Sequence, residues 1–190
     1  NIAYEITARA APDGYTIVVA AAGVAINPSL YAKVNYDTLR DFAPIATVVS
    51  TGYALVVNPT VPASTLQEFI ALAKSRPGQL NYGSSGPIQQ LVTELFSITA
   101  GIKLEHIPYK GGAPIYTDLI GGQIQAYFAP PAGAIPLINS GKIRALAITG
   151  EDRLASLPQV PTFAQSGVPG YDAKNWFGVF VPVPMNRSLS

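Results

Sequence analysis

The chain has 190 residues, 48% of them hydrophobic and only 12% charged, a length for one large domain or two small lobes and a composition that excludes intrinsic disorder. Twelve Lys and Arg against eleven Asp and Glu leave a formal charge of +1, which excludes a broad basic field for nucleic acid and a polybasic stretch for anionic lipid. The absence of cysteine removes disulfides, thiolate nucleophiles and iron–sulfur ligation, and a single histidine, His106, removes His-rich metal sites.

Apolar runs such as residues 17–26 stop well short of the ~18 residues that span a membrane, so no membrane insertion is expected. The opening Asn1-Ile2-Ala3-Tyr4-Glu5 lacks a basic-then-apolar pattern, so any export signal is expected outside this sequence. Residues 15–21, apolar and β-branched after the turn Pro12-Asp13-Gly14, predict a buried strand. Residues 42–50 and 54–58 predict two more, broken at Thr51-Gly52. Ser64-Thr65-Leu66-Gln67 has capping-box form, with Gln67 reaching back. Leu66, Phe69, Ile70 and Ala73 follow at helical spacing until Pro77-Gly78 stops the helix.

Strand and helix then alternate. Strands are predicted at 80–82, 103–108, 124–128 and 145–149, and helices at 87–100, 113–120 and 133–140. The first of these helices is read with Ile88, Leu91, Val92 and Leu95 on its apolar face. This beat gives an α/β fold class with right-handed crossovers and a mostly parallel sheet. Pro158, Pro161, Pro169 and Gly170 then mark an irregular stretch around a short helix at 162–166, before a long apolar strand at 175–181. Strands 54–58 and 175–181 bracket the regular block. Residues 59–177 are therefore expected as an inserted lobe, with 1–58 and 178–190 as a partial lobe one.

Open parallel sheets bind ligands outside the carboxyl ends of strands, where helix N-termini point free N–H groups. Tyr82-Gly83-Ser84-Ser85-Gly86-Pro87 has this form: the glycines admit close backbone approach, with a left-handed Gly86 one way to do so, and the serines offer hydroxyls. An anionic oxygen is its natural guest, and a plain serine-capped turn its bland alternative. Pro108-Tyr109-Lys110-Gly111-Gly112 offers a phenol and a cation beside free amides, or else a solvated lysine on a Gly-Gly turn. Ala129-Pro130-Pro131 is rigid and without polar side chains. After the first strand, Gly23 and Asn27 stand where Asn27 either bridges a ligand or caps a turn before Pro28.

Catalytic readings are weaker. Any Ser–His arrangement must route through His106, which reads better as a packed strand residue; the rival it supports is a serine-dependent hydrolase using Ser84 or Ser85. Ser84-Ser85-Gly86 is not a nucleophile elbow, and neither a dinucleotide fingerprint nor a P-loop occurs, so no cofactor is expected. A ligand-gated signalling receptor with the same pocket is the other alternative.

Ala11-Pro12-Asp13-Gly14-Tyr15-Thr16, Asn27-Pro28-Ser29-Leu30-Tyr31, Arg40-Asp41-Phe42-Ala43-Pro44 and Val56-Val57-Asn58-Pro59 occur in order. So do Pro77-Gly78-Gln79-Leu80-Asn81-Tyr82, Pro108-Tyr109-Lys110-Gly111, Gly141-Lys142-Ile143-Arg144-Ala145-Leu146-Ala147, Val160-Pro161-Thr162, Gly170-Tyr171 and Trp176-Phe177-Gly178. As a set they resemble the Bug-type substrate-binding receptors of tripartite tricarboxylate transporters, over about residues 1–182. The resemblance implies a two-lobed periplasmic-binding-protein-like fold, each lobe a mostly parallel sheet flanked by helices, joined by two crossing strands. It implies a non-enzymatic, monomeric periplasmic receptor that closes on a small organic acid and serves the membrane components of a transporter. It also implies a chain lacking the first strand–helix–strand of lobe one and the C-terminal helices. Carried over by position, Gly23 and Asn27 face the ligand from lobe one, and Ser84, Ser85, Gly86, Tyr109, Lys110, Gly111 and Ala129 face it from lobe two. Two departures stand out: residues 84–90 lack the family's polar Thr and His, and Ala129 stands where many members carry an aspartate. Met185 to Ser190 does not continue the family pattern either.

Overall fold

The structure, a computed structural model, describes residues 2–183, and its contacts divide the chain into two units. Unit 1 holds Asn1–Ser50 and Asn175–Ser190, and unit 2 holds Thr51–Lys174. The part of the expected lobe one at 184–190 lies outside the described residues, as does the departure at Met185 to Ser190.

Unit 2 is built on a five-stranded sheet of β3 (Ala54–Val57), β4 (Asn81–Ser84), β5 (Glu105–Pro108), β6 (Ala126–Ala129) and β7 (Arg144–Ile148), in the order β5-β4-β6-β3-β7. β4 runs parallel to β5 and β6, whereas β3 lies antiparallel between β6 and β7. The sheet is therefore mixed: β4, β5, β6 and β7 run in one direction, as a mostly parallel sheet requires, and β3 alone runs against them. Residues 54–58 do not cross between lobes: β3 is an interior strand of unit 2, buried at all four positions, which is why it reads as an unbroken apolar run.

Side chains alternate across this sheet. Leu55, Val57, Ala126 and Phe128 face a cluster with α4 (Leu66–Ser75) and α5 (Pro87–Ala100), containing Phe69, Val92, Phe96, Phe163 and Tyr171. Ala54, Val56, Tyr127 and Ala129 face the other cluster, with Ile115 and Leu119 of α6 (Gly112–Ile120) and Ala134 of α7 (Pro131–Asn139). Phe163 stacks on Phe128 at 5.8 Å and meets Tyr171 at 4.6 Å. Burying one such ring contributes roughly 1.5–3 kcal/mol.

Helix ends follow local chemistry, with three corrections. The α4 cap is Thr65, whose hydroxyl accepts from the Glu68 N–H at 3.2 Å while Glu68 accepts from the Ser64 N–H at 2.6 Å. The expected Ser64/Gln67 box is thus one residue out of register, and Gln67 instead donates to the Ser166 carbonyl at 2.7 Å. On α5 the buried face is Gln89, Val92, Thr93, Phe96 and Ser97, while Leu91 is 40% and Leu95 48% exposed. The apolar-face reading holds at Val92 and, partly buried, at Ile88, but not at Leu91 and Leu95, because Thr93 and Ser97 bury their hydroxyls by donating to carbonyls one turn back. Residues 163–167 are turns, not a helix: the Ser166 N–H donates to the Thr162 carbonyl at 2.9 Å, and the Ser166 and Gln165 side chains bond back to Thr162 as well.

Two of the quoted motifs are structural. The Asn58 amide donates to the Leu119 and Ile120 carbonyls at 2.6 and 3.0 Å, closing the end of α6. The Arg144 guanidinium donates to the Pro59, Val61 and Ala63 carbonyls and holds the loop after β3.

Unit 1 contains β1 (Val18–Ala21), β2 (Phe42–Thr51) and β8 (Asn175–Pro182) in the order β1-β8-β2, with β1 antiparallel to β8. Tyr36, Phe42 and Phe180 pack edge to face with Val18, Ala20 and Val24. The strand expected from residue 15 starts only at Val18, and Tyr15 is 93% exposed. Helices α1 (Ile2–Ala8), α2 (Gly23–Leu30) and α3 (Thr38–Asp41) carry no strong sequence signal; α2 even contains Pro28. Asp37 caps α3, and Asp41, buried, accepts from the Asp37 N–H at 2.7 Å and the Arg40 guanidinium at 2.8 Å.

Candidate functional site

The carboxyl ends of β4, β5 and β6 share one edge of the unit 2 sheet, since these strands are parallel neighbours. Each end leads straight into a helix: Ser84 into α5, Pro108 into α6 and Ala129 into α7. None of the three helices has a side-chain cap, so the N–H groups of Ile88 and Gln89 on α5, Gly112 and Ala113 on α6 and Ala132 on α7 keep their donor capacity; Pro87, Pro114 and Pro131 carry no N–H, and Gly133 donates to the Pro130 carbonyl at 3.2 Å. Gly86 and Gly111 are the cap residues of α5 and α6, and a side chain at either would enter open space.

The residues read from sequence fall into two groups. Ser84, Ser85, Gly86, Tyr109, Lys110, Gly111 and Ala129 gather at this edge. Gly23 and Asn27 belong to unit 1, on α2: the segment after β1 is helical, with Gly23 opening it, so Asn27 does not cap a turn before Pro28.

Their environments differ sharply. Ser84 is 3% exposed, and its hydroxyl lies 2.7 Å from His106 Nε2. The Ser85 N–H and hydroxyl both donate to Gln89 Oε1, at 2.8 and 2.7 Å, and Gln89 Nε2 donates to the Tyr127 hydroxyl at 2.9 Å. Gly86 has φ 175° and Gly111 φ −178°, extended backbone open to any residue, so the left-handed conformation considered for Gly86 does not occur. Tyr109 turns its hydroxyl inward to donate to Asp118 at 2.6 Å; burial, with that bond second, pushes the phenol up to about 12. Lys110 is exposed. Ala129 points its methyl into the sheet's second cluster and is fully buried.

Gln89 and Tyr127 are the residues that sequence reasoning missed here. A glutamine at the third position of a helix opened by Pro87 carries a capping signal, weakened here because Gly86, not Ser or Thr, stands at the cap. Tyr127 reads only as strand core.

The geometry also bears on the serine–histidine rival. The Ser84–His106 pair exists, but the serine is buried, the His106 ring leans on Tyr82 at 5.0 Å, and no acid bonds the other ring nitrogen among the described residues. Those residues likewise hold no group of three acids or histidines able to bind a metal, and no helix long and apolar enough to cross a membrane.

Residues 1–188 match the family model described as tripartite tricarboxylate transporter family receptor. The chain belongs to that receptor family. BugT of Bordetella pertussis is 37% identical over 185 residues, covering 95% of this chain and 57% of that protein. A solved structure described as R. palustris Rpa4515 with adipate superposes at TM-score 0.85 with 34% identity, covering 98% of this chain and 63% of the other. MatC from Rhodopseudomonas palustris, with bound malate, superposes at 0.81 with 27% identity, covering 97% and 64%. The chain thus spans a little over half the length of BugT. The tricarboxylate-receptor family is one of transport receptors, not of enzymes, and the hydrolase rival ends there.

Proposed function

We propose that the protein is a periplasmic receptor that captures a small organic acid and delivers it to the membrane component of a tripartite transporter. The observation that carries this reading is the convergence of three helix N-termini without side-chain caps at one sheet edge. Oriented backbone amides in that number suit a carboxylate and offer nothing to a cation. Adipate and malate in two structurally similar receptors support a dicarboxylate as the first ligand to try.

In this reading the amides at Gly86 and Gly111 hold a carboxylate, with Ser84 beneath them and the exposed Lys110 adding positive potential. Ser85 acts through the turn it fixes, and Tyr109 and Ala129 shape the floor. Gly23 and Asn27 are the contributors proposed from unit 1. No cofactor takes part.

Calorimetric titration of the full chain with adipate, malate and their diamides tests the charge requirement. At least one diacid is expected to bind with measurable heat while its diamide, equal in size but uncharged, does not. Equal heats for an acid and its diamide would remove the carboxylate from the proposal.

A further inference from the structure

Both connections between the two units pass one buried hydroxyl. The chain enters unit 2 at Thr51 and leaves it at Lys174. Thr149, the residue after β7, is 3% exposed. Its hydroxyl accepts from the Tyr53 N–H at 2.8 Å and donates to the Ala173 carbonyl at 2.6 Å. Its own N–H donates to the Tyr53 carbonyl at 2.9 Å. One side chain therefore holds the entering segment as acceptor and the leaving segment as donor. Gly52 lies against the same residue: a Cβ there would stand 2.3 Å from the Thr149 carbonyl oxygen and 2.6 Å from its hydroxyl.

Unit 1 secures the other end of each connection. β2 ends at Thr51, β8 begins at Asn175, and the two strands are neighbours in its sheet. Gly52 and Lys174 are left as the short links between a strand ladder and the Thr149 bonds.

We propose that Thr149 is the anchor of the hinge, clamping both connections to the unit 2 sheet so that motion between the units is confined to the links at Gly52 and Lys174. Only a side chain that donates and accepts at one atom can serve. Serine keeps both bonds; valine keeps the shape and loses them.

The natural absence of cysteine permits clean spin labelling. The full chain would carry labels at Leu39→Cys in unit 1 and Lys142→Cys in unit 2, both exposed, with an Arg76→Cys/Lys142→Cys pair as the control within unit 2. Thr149→Val is expected to speed amide exchange at Tyr53 about tenfold and to broaden the cross-unit distance distribution while the control pair stays sharp. Thr149→Ser is expected to match the parent in all three readouts. A merely structural threonine would lower stability without broadening the cross-unit distribution alone. The proposal is overturned if Thr149→Val leaves Tyr53 exchange unchanged, if it speeds exchange without broadening the distribution, or if Thr149→Ser broadens it equally. Should Thr149→Val not fold, Gly52→Ala, whose methyl must displace the same clamp, is read by the same criteria.

Discussion

A serine at a strand end invites the reading that its hydroxyl meets the ligand, and Ser85 shows why local pattern cannot decide this. Its two donors already converge on Gln89 Oε1, which Gln89 can offer because it sits one turn into α5 and is itself buried. Ser85→Ala is therefore expected to leave affinity for a bound diacid unchanged and to lower stability by about 0.5–1.5 kcal/mol, one neutral hydrogen bond. Gly86→Val is expected to do the reverse: the extended backbone accepts valine, so stability falls by no more than a cap substitution, ~1 kcal/mol, while the side chain obstructs the amide and binding is lost. Measuring Tm and Kd on both variants separates the two roles. A Ser85→Ala protein that folds as the parent but no longer binds would restore the hydroxyl to the site.

Asp41 carries a pH prediction. Its hydrogen bond from Arg40 and, to a lesser degree, the Asp37 N–H hold the carboxyl below its usual range against the effect of burial. A depressed folded-state pKa stabilises the fold at pH values above the unfolded carboxyl's, ~3.9, and this contribution is lost as pH falls through the folded value. Asp41→Asn is accordingly expected to lower Tm at neutral pH, with the gap to the parent narrowing in acid. A gap that stays constant between pH 7 and pH 3 would exclude the ionised carboxyl as its source.

At the scale of elements, the legible parts were those whose signal is local. α5 runs from Pro87 to Ala100 as read, because Pro87 fits the first helical position and Gly101 adopts φ 63° at the end, where Ile102 bonds back to the Ser97 carbonyl at 2.9 Å. Which face it buries was legible only in part. Thr93 and Ser97 look polar in sequence but satisfy their hydroxyls within the helix, leaving Phe96 free to face Phe128 and Phe163 at 5.6 and 5.4 Å. Phe96→Ala is expected to cost about 3–5 kcal/mol and Leu95→Ala within about 0.5 kcal/mol, checked by urea denaturation. Comparable losses would return Leu95 to the core. The antiparallel placement of β3 was equally hidden. Its four buried residues suit a parallel or an antiparallel interior strand, and only the pairing with Ala126–Ala129 on one side and Arg144–Ile148 on the other tells them apart. The candidate site was legible as strand ends with glycines and Gln89 as a capping position, but the bond from Gln89 to Tyr127 spans 38 residues and leaves no mark on local pattern.

At the scale of the whole molecule, three helices open without side-chain caps at neighbouring strand ends of one unit, and the chain belongs to a family of transport receptors. Each uncapped terminus leaves backbone donors to be satisfied by water or a guest, and an anion satisfies several at once. The central claim is that such an anion binds at these amides. The direct measurement is an amide-resolved NMR titration of the full chain with adipate. The largest saturable shifts are expected at Gly86, Ile88, Gly111 and Gly112, with adipamide leaving the same signals in place; saturable binding of adipate that leaves these four amides unmoved would contradict it.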